Sequence, residues 1–92
     1  MVYVVRLTRQ AEKQLEKLSE KVKGALLFLL HEIFRSGPVR GDWPNYSKLG
    51  PKRHHCHIKK GKPTYVAVWE VIGGEIQLVE ITYVGTHEKA PC

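Results

Sequence analysis

The chain has 92 residues, 15 of them Lys or Arg against 9 Asp or Glu, for a formal net charge of +6. That length makes one domain over residues 1–92 with a thin stability margin, and 42% hydrophobic with 26% charged residues excludes a disordered tail. The longest apolar run, Ala25 to Leu30, is far below the roughly 20 residues a membrane-spanning helix needs.

Val2 to Leu7 is short and β-branched and reads as a strand, not a signal peptide. Thr8 then caps a helix with Ala11, Leu15, Leu18 and Val22 at helical spacing and Glu12, Lys13, Glu16 and Lys17 on a solvated face. Ser19 caps a second helix over about 20–35. Its Leu26, Leu27, Leu29, Leu30, Ile33 and Phe34 make an apolar surface broad enough to pack on two sides. Ser36-Gly37-Pro38 stops it, and residues 37–52 are turn-rich, pinned to the body by Trp43, Tyr46 and Leu49. Three strands follow near 53–59, 64–72 and 75–84, separated by turns at Gly61-Lys62-Pro63 and Gly73-Gly74. The order β-α-α-β-β-β predicts an α+β domain with two helices on one face of an antiparallel-rich sheet and the other face open.

Residues 48–62 carry six Lys/Arg and three His with no Asp or Glu. Strand alternation sends Arg53, His55, His57 and Lys59 to one face and His54, Cys56 and Ile58 to the other. A basic chain with such a face suits a polyanion, and imidazoles move protons near neutral pH. Cys56 and Cys92 are too few for a disulfide scaffold and read as reduced thiols of a cytoplasmic protein. The His-x-His of residues 55–57, with His87 and Cys92, is a weak metal signal without a Cys-x-x-Cys or His-Glu-x-x-His, so no metal or other cofactor is expected.

The segments Leu7-Thr-Arg-Gln-Ala-Glu-Lys-Gln-Leu-Glu-Lys-Leu18, Trp43-Pro-Asn-Tyr-Ser-Lys-Leu49, Arg53-His-His-Cys-His57, Tyr65-Val-Ala-Val-Trp-Glu-Val71 and Ile81-Thr-Tyr-Val-Gly-Thr-His-Glu-Lys89, in this order, resemble the RelE/ParE superfamily of bacterial toxin–antitoxin systems. The resemblance spans essentially the whole chain. It implies a cognate antitoxin and one of two activities: cleavage of messenger RNA in the ribosomal A site, as in the RelE branch, or inhibition of DNA gyrase, as in the ParE branch. The active lysines of the second strand in RelE-like enzymes fall on His55 and His57, and a C-terminal arginine falls on His87. The third-strand arginine falls near Val66, which leaves Arg53 to fill that role from the neighbouring strand. The terminal tyrosine of those enzymes has no counterpart, since the sequence ends at Cys92.

Metal-free RNA cleavage needs a base for the 2′-hydroxyl proton, cations for the charge on phosphorus and an acid for the departing 5′-oxygen. His55, His57, His87 and Arg53 are the candidate catalytic residues, with Lys48, Lys52, Lys59, Lys89 and Tyr83 as candidate RNA contacts. Lys60 and Lys62 serve solubility equally well. His54 reads as a packed core imidazole and Trp69 as core. Tyr83 fits either base stacking or the core, and Glu70 is a base if its side of the sheet is open and a rim residue if it is not. The imidazoles favour a ribosome-dependent endoribonuclease over a gyrase inhibitor, which needs no proton transfer, or a plain nucleic-acid-binding module, which needs only charge.

Overall fold

Each helix begins at a hydroxyl that takes up an otherwise orphan backbone N–H. In the computed structural model, which describes residues 3–59, 63–72 and 78–90, Thr8 accepts from the Ala11 N–H and opens α1 (Arg9–Glu16). Ser19 accepts from the Val22 N–H and opens α2 (Glu20–Ser36). Gly37 ends α2 with φ near +100°, a conformation that disfavours any residue with a side chain. The Tyr3 ring lies so close that a Cβ at Gly37 would be 2.9 Å from it.

The strands are β1 (Val4–Leu7), β2 (Ser47–Lys48), β3 (Arg53–Lys59), β4 (Tyr65–Ile72) and β5 (Leu78–Thr86), with a 3-10 turn at His87–Lys89. They form one sheet in the order β1-β5-β4-β3-β2. The β2–β3, β3–β4 and β4–β5 pairs are antiparallel, whereas β1 runs parallel to β5. The sheet is therefore mixed: the two-helix crossover carries the chain from β1 to β2 at the opposite edge, and the antiparallel strands that follow bring β5 back alongside β1. Three boundaries differ from the sequence reading: α1 stops at Glu16, so that Leu18 lies beyond it and Val22 belongs to α2, β2 lies inside the stretch read as turns, and β5 ends later than 84. The expected turns at 61–63 and 73–74, along with Lys60 and Cys92, lie at least partly outside the described residues.

Alternation along β3 holds as read: His54, Cys56 and Ile58 are buried, and Arg53, His55 and His57 are half-buried on the opposite side. The helix-side core joins Leu26, Leu29 and Ile33 of α2 to Trp69, Val79 and Ile81 of the sheet. Fully burying such a side chain contributes about 1.5–3 kcal/mol. Cys56 is in this core, and burial pushes its thiol up to about 12, so it stays an inert thiol. His54 is 3% exposed, stacked on Trp69 at 5.9 Å between ring centroids and bonded through Nδ1 to the Tyr46 hydroxyl at 2.6 Å. Burial, with Lys48 as a second cause, lowers the His54 pKa and so favours the neutral imidazole, whose Nδ1 can accept the phenol proton or donate to its oxygen according to the tautomer. Trp43 pins the 37–46 loop to α2 by donating to Glu32 at 3.2 Å and packing on Phe28.

The opposite face is not open along its whole length, as the sequence suggested. Val66, Val68 and Tyr83 form a second buried cluster there, flanked by Leu49 and Ala90. Tyr83 is 7% exposed and its hydroxyl donates to the Thr86 carbonyl at 2.8 Å. This bond draws the ring over Gly85, where a Cβ would lie 2.7 Å from the hydroxyl oxygen.

Two outcomes follow. A lowered folded-state pKa means that the unfolded imidazole binds its proton first as pH falls. Stability from His54 is full above about 6.5 and declines as pH drops from there toward the folded value. Urea midpoints at about pH 7.5 and about pH 5.5 should therefore differ more in the parent chain than in His54→Phe; equal differences would contradict the assignment. Gly85→Ala should lower stability by about 1–3 kcal/mol, with part recovered when Tyr83→Phe removes the opposing oxygen. An unchanged unfolding midpoint for Gly85→Ala would show that the ring yields freely.

Candidate active site

Three imidazoles converge across the start of β4, between the middle of β3 and the end of β5. His55 and His57 project from β3 with ring centroids 6.2 Å apart, and His57 meets His87 edge-on at 5.4 Å. His57 stands level with Val66 and Gly85 across the sheet, and Gly85 precedes His87 by two residues. The His87 N–H donates to the Thr64 carbonyl at 2.8 Å, which fixes the start of the 3-10 turn against the beginning of β4. Its side chain remains exposed.

His55 is set by β2. Ser47 pairs with it in register, and its hydroxyl lies 3.0 Å from His55 Nδ1. With Nδ1 so engaged, Nε2 is the ring nitrogen left to meet a substrate. Ser47 was not among the sequence candidates. Only its place one residue after Tyr46, a residue anchored in the core beside His54, marks it. Thr64 was missed as well, because it acts through its carbonyl, which any residue supplies.

The structure brings together His55, His57 and His87 and separates them from several of the cations expected beside them. Arg53 lies four residues before His57, about 13 Å along an extended strand, at the other end of the face. It does face an acid, which the local sequence hides: Arg53 pairs in register with Glu70, Glu70 with Glu80, and Glu80 accepts from Arg6 Nε at 2.9 Å. This places Glu70 in a charge row at the rim, away from the imidazoles. Lys48 is level with His54 on β2 and acts on that buried ring, so it belongs to the other face from the cluster. Lys52 is exposed just before β3, at the Arg53 end. A bulge between His57 and Lys59 puts Lys59 opposite Tyr65, and the alternation that assigned Lys59 to the imidazole face breaks there. Lys89 lines a groove with Gln10, Gln14 and Lys17 of α1. Tyr83 takes the core alternative, buried with Val66 and Val68. Val66 is fully buried and supplies no charge.

Two imidazoles about one phosphate apart, with a third braced beside them, can take a proton from one oxygen and give one to another on the same phosphorus. Among the described residues no group of three or more His, Cys, Asp or Glu is arranged to hold a metal ion. No described helix is long and apolar enough to cross a membrane.

No protein-family model matches the chain. No curated protein matches it in sequence. Solved structures do match. A mutant of the E. coli toxin RelE in the free state aligns with a TM-score of 0.75 at 23% identity, over 98% of this chain and 88% of that one. The archaeal RelE–RelB complex from Pyrococcus horikoshii aligns at 0.73 and 14% identity, over 98% and 100%. The intact E. coli RelBE toxin–antitoxin complex aligns at 0.70 and 26% identity, over 95% and 99%. The two helices and five-stranded mixed sheet of this chain are the RelE fold, and its structural neighbours are RelE toxins alone and in complex with their antitoxins.

Proposed function

We propose that the chain is the toxin of a toxin–antitoxin pair and cleaves messenger RNA on the ribosome without a metal or cofactor. The observation that carries this reading is the convergence of His55, His57 and His87 on a sheet face of a strongly basic chain. One imidazole of the His57–His87 pair accepts the proton of a ribose 2′-hydroxyl. The oxygen attacks the adjacent phosphorus, the bond from phosphorus to the 5′-oxygen breaks, and the other imidazole protonates that leaving oxygen. The products are a 2′,3′-cyclic phosphate and a 5′-hydroxyl. We assign the acid to His87, the exposed member held at the end of a rigid strand, and the base to His57, with His55 braced by Ser47 to donate to a phosphate oxygen. Arg53, Lys52 and Lys59 contact flanking phosphates. The reading is of a cytoplasmic protein that works on ribosomes.

Primer extension on cellular transcripts after induction tests it directly. Cuts at defined codon positions are expected. Intact transcripts together with inhibited DNA supercoiling would replace it with a gyrase-directed toxin. His87→Gln should lower the single-turnover rate by roughly 10²–10⁴-fold and remove one limb of the pH–rate profile. A rate near that of the parent chain would take His87 out of the mechanism.

The partner in this reading is a cognate antitoxin, as in the RelE–RelB and RelBE complexes that share the fold. An acidic, partly disordered segment that folds on binding would meet the cationic face of β3. Hydrogen exchange in the complex should show protection over residues 53–59. Protection confined to residues 9–34 would mean that the antitoxin leaves the imidazoles uncovered.

A further inference from the structure

The cations of α1 take no part in the imidazole site. Arg9, Lys13 and Lys17, the last at the C-cap of α1, follow at four-residue intervals and stand on one side of the helix, about 6 Å apart along its axis. All three are exposed, and with Gln10 and Gln14 they line a shallow groove that has no apolar side chain in its walls. The groove continues into a hollow where Gln14 and Lys17 meet Thr86 and Lys89. Its floor is fixed, because Gln14 Oε1 accepts the Val84 N–H at 2.9 Å, beyond the point where β1 stops pairing with β5. Among the described residues no carboxylate forms an ion pair with Arg9, Lys13, Lys17 or Lys89. The next residue after Thr86 is His87, so the far end of this cationic row adjoins the imidazole cluster.

We propose that Arg9, Lys13, Lys17 and Lys89 form a second anion track, which holds the sugar–phosphate backbone of RNA outside the nucleotides that reach His57 and His87. The track rests on the ribonuclease reading and extends it: it names what binds the strand away from the cleaved bond. Its regular cations suit the repeating charge of a phosphate backbone. An acidic protein segment that folds on binding needs apolar side chains to bury, and the first half of this groove is lined by Arg, Lys and Gln, whose only apolar surface is their aliphatic stems. The exposed apolar side chains Leu27, Phe28 and Phe34 belong to α2 instead. The Glu/Lys pattern of α1, read from the sequence as a solvated face, thus separates into an acidic ridge at Glu12 and Glu16 and a basic row directed to the end of β5.

The test compares the parent chain with the triple variant Arg9→Gln, Lys13→Gln, Lys17→Gln. Gln keeps the helix propensity of the exposed positions. The probe is a single-stranded 2′-O-methyl RNA oligonucleotide, which binds without being cut. The triple variant should bind about tenfold or more weakly at low salt, with the salt slope reduced by about two units, three cations at roughly 0.7 each. Lys23→Gln, which removes a charge from α2 beside Glu20, should leave both unchanged. An unchanged slope in the triple variant would overturn the track, as would an equal loss in Lys23→Gln, which would signal bulk charge alone. Retained RNA binding with lost binding of a polyglutamate peptide would overturn it in favour of an acidic protein. Because the probe cannot be cleaved, a chain that binds it through α1 but cuts no message would refute the ribonuclease reading and leave the track in place.

Discussion

His57, Val66 and Gly85 stand level on three neighbouring strands, and that register decides what each face of the sheet contains. A slip of one residue in β3 would turn His55 and His57 into the helix-side core and expose Cys56 and Ile58. Burial on both sides prevents the slip. Trp69 and the α2 leucines hold the helix side, and Val66, Val68 and Tyr83 hold the other. The second cluster is small, but its Val68 and Val66 stand level with His55 and His57 on the neighbouring strand. His54 belongs to the same argument from the opposite side: it is stacked and hydrogen-bonded in the core, one residue from His55, which faces outward.

Much of this was legible in the sequence wherever a short-range period was at work. Period two along 53–59 assigned six side chains to their faces, and period 3.6 with Thr8 and Ser19 as caps located both helices. What escaped depended on partners distant in the chain. The acid opposite Arg53 is 17 residues away, which is a register fact invisible to any local window. Ser47–Lys48 is too short to show a period and exists as a strand because β3 offers it an edge. The parallel pairing of β1 required knowing that the last strand lies in the middle of the sheet. Lys89 was assigned by proximity to His87, and the 3-10 turn sends it to the α1 side instead.

The charge row from Arg6 through Glu80 and Glu70 to Arg53 gives the outward face two unlike ends. At one end two carboxylates, Glu80 and Glu70, lie side by side between two arginines, and exposed pairs such as Arg6–Glu80 contribute little to stability, about 0–1 kcal/mol. At the other end the imidazoles have no carboxylate in register. The net +6 of the chain is thereby left concentrated away from the row.

The parallel pairing of β1 with β5 also governs when the fold can exist. Arg6 and Glu80, which touch across that pair, are 74 residues apart in the chain. β5 lies between β1 and β4, so a nascent chain lacking it has two separated sheet edges and no place for β1 to dock. Closing so long a loop is slow compared with forming α1 and α2, which need only local contacts. During synthesis, therefore, β1 has no partner until β5 has been added, and His87, the residue after that strand, is added later still.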